Sequence, residues 1–203
     1  MNCPDRPYCT FALTVIAAAW FLVALFIGET ELLQFLPAPA IPVTVWSLVG
    51  ILLVAFWKNR AFRSFVDQLG MRTLIALHLP RFIGFYLLYL SSRGELPAHF
   101  AIPAGWGDIG VAVGALVLLL RPTPKRILLW NTIGILEILF VVFTVGAQVL
   151  SNHESMNAFT ALPLSFLPTF IVPLIITSHV VIFLRLRNPG AERLPAGGAL
   201  DRA

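Results

Sequence analysis

Five side chains able to carry charge or a proton stand inside apolar stretches of this sequence: His78, Arg81, Asp108, Glu137 and His179. Such groups are costly in apolar surroundings, so each needs a partner or a cavity and is a candidate for ligand binding or proton handling. Arg81 and Glu137 are opposite in sign. Either they form a buried ion pair, with Asp108 as the rival partner of Arg81, or Arg81 holds a small anionic ligand while Glu137 carries a proton. His78 and His179 lie on different stretches and are candidate axial ligands of one b-type haem, with Arg81 near a propionate and Gly84 or Gly134 making room for the macrocycle. The alternative is two neutral imidazoles, each bonded to a hydroxyl or to a carbonyl freed by proline.

The elements that must position these groups are membrane helices. Hydrophobic residues make up 58% of the 203 and charged residues 12%, against about 25% charged in soluble domains. The apolar stretches are Phe11 to Gly28, Ile41 to Trp57, Thr73 to Leu90, Pro103 to Leu120, Ile127 to Leu150 and Leu162 to Leu184. Each has about the 20 residues that cross a hydrocarbon core, and none alternates as a barrel strand does. The expected fold is an all-α integral membrane protein of six transmembrane helices, with no room for a separate soluble domain.

Charge sets the orientation. Arg6, then Lys58, Arg60, Arg63 and Arg72, then Arg121, Lys125 and Arg126, then Arg185, Arg187, Arg193 and Arg202 fall on one side of the stretches; the opposite loops carry Glu29, Glu31, Arg93, Glu95 and Glu154. By the positive-inside rule both termini are cytoplasmic. The net charge of +4 then reports contact with anionic lipid head groups rather than nucleic acid. Cys3 and Cys9, the two cysteines, precede the first stretch on that side and are expected as reduced thiols. The run from Phe11 to Gly28 exceeds a signal-peptide core and is read as a retained span. Residues 185–203 are expected to form a disordered cytoplasmic tail.

Counting about 1.5 Å per residue from the cytoplasmic ends places His78 and His179 roughly 9 Å deep, Arg81 roughly 14 Å, Glu137 roughly 16 Å and Asp108 roughly 20 Å. His78, Arg81, Phe85 and Tyr89 recur at helical spacing on the third stretch, and Trp130, Gly134, Glu137, Thr144 and Gln148 on the fifth, so both stripes are expected to face the interior. Pro80 should kink the third helix at the polar cluster, and Pro168 and Pro173 the sixth, before Thr177, Ser178 and His179. Interrupted third and sixth helices match the three-plus-three arrangement that secondary transporters build around a central site. Between the spans, Leu36 to Pro42 is expected as an extended turn, and Lys58 to Arg72 as a short helix lying in the interface. Tryptophans near span ends are read as interfacial anchors.

The most distinctive text runs from Arg93 through Gly94, Glu95, Leu96, Pro97, His99, Phe100, Pro103, Gly105, Trp106 and Gly107 to Asp108. It is expected as an outer loop that folds back before the fourth span, with Pro97 and Pro103 interrupting helix and Asp108 capping the first turn. Gly107, Gly110, Gly114 and Ala115 follow as a small-residue face for close helix packing. Together with Arg81-Phe82-Ile83-Gly84, the pattern Gly-x-Leu-Pro-x-x-Phe-Ala-x-Pro-Ala-Gly-x-Gly-Asp resembles that of small multi-pass bacterial membrane proteins described only as uncharacterised. The resemblance implies a bacterial cytoplasmic (inner) membrane and a grouping of Arg81, Pro97, Pro103, Gly105, Gly107 and Asp108; it brings no activity, substrate or cofactor. His99 and His153 form no spacing typical of a metal site, and phosphate loop, nucleophile elbow and His-Glu-x-x-His motifs are missing. Three readings stay open: a small permease-like or ligand-binding membrane protein, a b-type haem redox protein, and a structural or accessory subunit.

Overall fold

The computed structural model describes residues 6–37, 39–151 and 153–187, with side chains from residue 11 onward except that of residue 153. The expected tail beyond Arg187, the Cys3 and Cys9 thiols and the His153 ring lie outside the described residues or side chains. Eight α-helices carry the described chain: α1 (Arg6–Glu29), α2 (Ala40–Lys58), α3 (Arg60–Gln68), α4 (Met71–Ala76), α5 (Gly84–Ser92), α6 (Ala98–Leu120), α7 (Pro124–Ser151) and α8 (Val172–Arg187). A 3₁₀ segment, Leu79–Ile83, joins α4 to α5, and a π-turn, Leu167–Ile171, leads into α8. No strand occurs among the described residues. Six helices are long and apolar enough to cross a membrane: Phe11–Glu29, Ala40–Lys58, Met71–Ser92, Ala98–Leu120, Pro124–Ser151 and Leu167–Arg187.

The outer surface of these helices is apolar. Phe11, Phe26, Ile51, Leu120, Leu136 and Phe143 are each more than half exposed, as in helices suited to a lipid surrounding. Because lipid tails are as apolar as leucine, such helices associate through close packing and polar contacts rather than hydrophobic exclusion. Three layers follow. Near the basic end, Phe56, Leu74, Ile75, Trp130, Val181 and Ile182 form one apolar core; toward the other end, Val45, Leu87, Phe100, Val142, Val149 and Ile175 form a second. Along the third to sixth spans, the buried residues His78, Arg81, Asp108, Asn131, Ser178 and His179 fall in sequence between these two groups.

Local chemistry sets the helix ends. The Asn59 side chain accepts from the amides of Ala61 and Phe62, at 3.0 and 3.2 Å, and starts α3. That helix is the expected interfacial one, and Arg185 caps its C-terminus by donating to the carbonyls of Val66 and Leu69. Gly94, at φ +74°, closes α5 in the left-handed conformation that glycine adopts without strain, with Glu95 N–H bonded back to the Leu90 carbonyl.

Three boundary expectations are corrected. The fourth span starts at Ala98, with Pro97 as its N-cap and Pro103 inside it; a proline this near the N-terminal end removes one backbone bond without stopping the helix. Residues 98–103 therefore belong to the helix and not to a folded-back loop. α2 starts at Ala40, because Pro42 falls in its first turn, where a missing N–H costs little. In the sixth stretch, turn geometry occupies residues 161–165 and the span begins at Leu167.

The proline breaks at the third and sixth spans are present. Pro173 leaves the carbonyl of Thr169 without its helical donor, and the Trp20 indole fills that role at 2.9 Å. Trp20 and Phe21 pack against Phe166 and Phe170 around it, tying α1 to the π-turn. Trp20→Phe keeps the ring contacts and removes the donor, so it should lower unfolding stability by about 0.6 to 1.7 kcal/mol; thermal unfolding in detergent, compared with Phe21→Leu, checks this.

Candidate functional site

Arg81 sits in the 3₁₀ segment that follows Pro80, on the part of the third span where the α-helix is interrupted. Its side chain is 1% exposed. The Nε donates to Asp108 Oδ1 at 2.6 Å, Nη2 is paired with Glu137 Oε2, and Nη1 donates to the Gly134 carbonyl at 3.4 Å. The expected alternatives, Glu137 or Asp108, are both partners at once. Asp108 lies about three turns into α6, not in its first turn, because the helix begins upstream of Pro103. Its role as an N-cap is replaced by the pair with Arg81.

Glycines shape this centre. A Cβ at Gly107 would stand 2.5 Å from Glu137 Oε1, so the missing side chain is the space that the carboxylate fills. A Cβ at Gly134 would meet His179 Cε1 at 2.6 Å, and one at Gly114 would meet Trp130 Cδ1 at 2.6 Å. Gly84 and Gly105 let α5 and α6 approach closely, since a Cβ on either would meet the other's carbonyl oxygen. Gly110 has open space around its Cα, so the expected small-residue face is corrected: Gly107 and Gly114 receive side chains of α7, and Gly110 packs against nothing.

The stripe expected on the third span holds only in part. His78 and Arg81 are buried, whereas Phe85 and Tyr89 are each 55% exposed. The 3₁₀ segment has three residues per turn rather than 3.6, which rotates α5 so that Gly84, Leu87 and Leu90 face inward instead. On α7 the interior stripe includes Trp130 and Gly134, while Thr144 and Gln148 are half-buried. Gln148 Oε1 is 3.1 Å from His99 Nε2 and so accepts from that ring.

His78 and His179 are fully buried and in contact, with ring centroids 4.3 Å apart. Ser178 Oγ donates to the Ile175 carbonyl at 2.8 Å, leaving it to accept from His78 Nε2 at 3.0 Å. Asn131 donates from Nδ2 to the His179 carbonyl, which turns its Oδ1 toward His179 Nδ1 at 2.8 Å. Those partners put a proton on Nε2 in His78 and Nδ1 in His179, and the other nitrogen of each ring is buried without a hydrogen-bond partner, the arrangement of a neutral imidazole. Axial haem ligands stand on opposite faces of a macrocycle, and two rings already in contact leave no gap for one. The geometry does not fit haem, and Gly134, assigned room for a macrocycle, accommodates His179 itself. Trp130 packs on both imidazoles and donates to the Val111 carbonyl at 2.9 Å, so it is an interior residue, while Trp57 and Trp106 are largely exposed. No group of three His, Cys, Asp or Glu side chains that could hold a metal occurs among the described residues.

Beside the Arg81 cluster is a cavity with about 50 Å³ of space for the centre of a water molecule. Single waters need about 10–15 Å³ by this measure. Both interrupted spans border it, the third through Arg81 and Ile83 and the sixth through Leu167, Pro168 and Ile171. Sequence reading missed Asn131, although an amide beside Trp130 in an apolar run was a visible signal; it also missed that all three Arg81 donor positions are taken. Each guanidinium nitrogen already faces a protein oxygen and the side chain is 1% exposed, so an anionic ligand would have to displace a carboxylate, which revises the expected role of Arg81.

Residues 38–187 match the family described as Domain of unknown function (DUF8737), and the chain belongs to that family. No curated protein and no solved structure matches it.

Proposed function

We propose that this family member is a small permease-like, proton-handling protein of the bacterial cytoplasmic membrane, a six-span bundle with both termini cytoplasmic. The orientation rests on charge: Lys58, Arg60, Arg63, Arg72, Arg121, Lys125 and Arg126 gather at one end of the spans, and Glu29, Glu31 and Glu95 at the other. The observation that carries the functional reading is the sharing of one guanidinium by two carboxylates. Arg81, Asp108 and Glu137 sum to one excess negative charge between two apolar layers. Burying an uncompensated charge is expensive, so the cluster is neutral only when it takes up one proton or one monovalent cation.

Glu137 is the natural proton carrier. Both of its carboxylate oxygens are buried, where an ionised carboxylate is costly unless fully compensated, and Asp108 already holds the Arg81 Nε at 2.6 Å. The adjoining cavity and the two interrupted helices around it support a permease-like use of that charge, because the cavity is bordered by Arg81 and Asp108, the cluster partners of Glu137. Infrared difference spectroscopy in lipid nanodiscs tests it. Near neutral pH the wild type should show the C=O band of a protonated carboxylic acid that shifts in D₂O and is lost in Glu137→Gln. Absence of such a band in the folded wild type would leave the cluster as a helix clamp, the structural reading.

A further inference from the structure

We propose that the cavity binds a lipophilic primary amine, its ammonium held by Asp108 in exchange for the proton of the cluster. This rests on the proton-handling reading and adds the ligand class. The walls are apolar, drawn from Val45, Leu87, Phe100, Val142, Leu167 and Ile175, and the charged side chains on the boundary are Arg81 and Asp108. Of these two, Arg81 is sealed and has Nε, Nη1 and Nη2 engaged, whereas Asp108 is bonded through Oδ1 and keeps part of its surface open. A ligand with an apolar body therefore meets a carboxylate at the polar end of the space.

The other groups facing the cluster do not change that sign. His78 from the third span and His179 from α8 each leave one ring nitrogen buried without a hydrogen-bond partner, where a second N–H would be costly, and α2 contributes only Ile41, Pro42 and Val45 to the cavity. A primary ammonium has three donors and can bond a carboxylate directly. A quaternary one cannot, and it is recognised by aromatic cages; these walls are mostly aliphatic, with Phe100 and Phe159 the aromatic rings among them. Charge balances through the exchange. With the amine absent, Arg81, Asp108 and a protonated Glu137 sum to zero; with the ammonium bound and the Glu137 proton released, the sum is again zero. Proton and amine thus compete for a single excess negative charge, which makes the exchange one for one.

The test uses full-length protein in nanodiscs of zwitterionic lipid, with hexylammonium, hexanoate and hexanol as probes of equal chain length and empty nanodiscs as the blank. Calorimetry reads binding and a pH dye in weak buffer reads protons. Saturable binding of hexylammonium with release of one proton per protein, and none for hexanoate, is the expected result. Asp108→Asn should weaken amine binding roughly tenfold or more, and Glu137→Gln should abolish the proton release. Val142→Phe, which fills the cavity without touching the charges, should lose the amine but keep the protonated-carboxyl band; it stands in if Asp108→Asn does not fold. Preference for hexanoate or hexanol, or amine binding unaffected by Val142→Phe, would overturn the ligand class while the infrared band still supports proton handling. Amine binding without proton release, together with no carboxyl band, would overturn both.

Discussion

Arg81→Gln should destabilise the protein by about 3–5 kcal/mol, the usual cost of removing one partner from a buried ion pair, and Glu137→Gln added to it should not restore stability. The reason is the second carboxylate. Arg81 is the partner of both Asp108 and Glu137, on α6 and α7, so the double variant still buries Asp108 without its cation. Only the triple variant Arg81→Gln, Asp108→Asn, Glu137→Gln removes every charge, and its unfolding temperature in detergent should return most of the way to wild type. Full recovery in the double variant would mean that Asp108 contributes nothing to the cluster. Non-additivity of this kind is expected wherever three groups share one interaction, and a double-mutant cycle on any two of them reports the third as well.

Gly84→Ala is the second large effect. The added Cβ would fall on the Gly105 carbonyl oxygen and stand 3.1 Å from both Asp108 Cβ and Ile109 Cγ1. Backbone cannot rotate aside as a side-chain tip can, so α5 and α6 must separate at the point where they carry Arg81 toward Asp108. Overpacking of this sort costs about 1–3 kcal/mol, occasionally more. Gly110→Ala on the same face of the sequence pattern has open space around it and should be neutral or stabilising by up to about 1 kcal/mol. Thermal unfolding of the two variants side by side separates them; equal effects would show that these glycines matter only through helix propensity. A proton-linked band weakened in Gly84→Ala would further tie helix spacing to the cluster.

Much of the molecule was legible one helix at a time. Length and hydropathy of a single stretch decide whether it can cross a membrane, so the six helical stretches, the short α3 between basic residues and the break at Pro80 follow from sequence alone. Depth is also a one-helix property, counted from the nearest basic residue, which is why Arg81, Asp108 and Glu137 could be recognised as a group and His78 and His179 as level with each other. The charges themselves announced that they needed partners. What helical spacing could not supply was phase across an irregular segment. Phe85 and Tyr89 continue the His78 and Arg81 stripe on paper, yet the 3₁₀ turn Leu79–Ile83 rotates them outward.

Sequence thus determined the helical class, the charge asymmetry and the identity of the buried ionisable groups, because each is fixed by residues close together in the chain. Tertiary structure alone decided that one guanidinium serves two carboxylates, that Gly107 and Gly134 make the space for Glu137 and His179, that the imidazoles touch each other, and that an apolar cavity ends at Asp108. Those are contacts between helices far apart in sequence. They depend on which faces pack and how closely, and no pattern within a single helix encodes that distance.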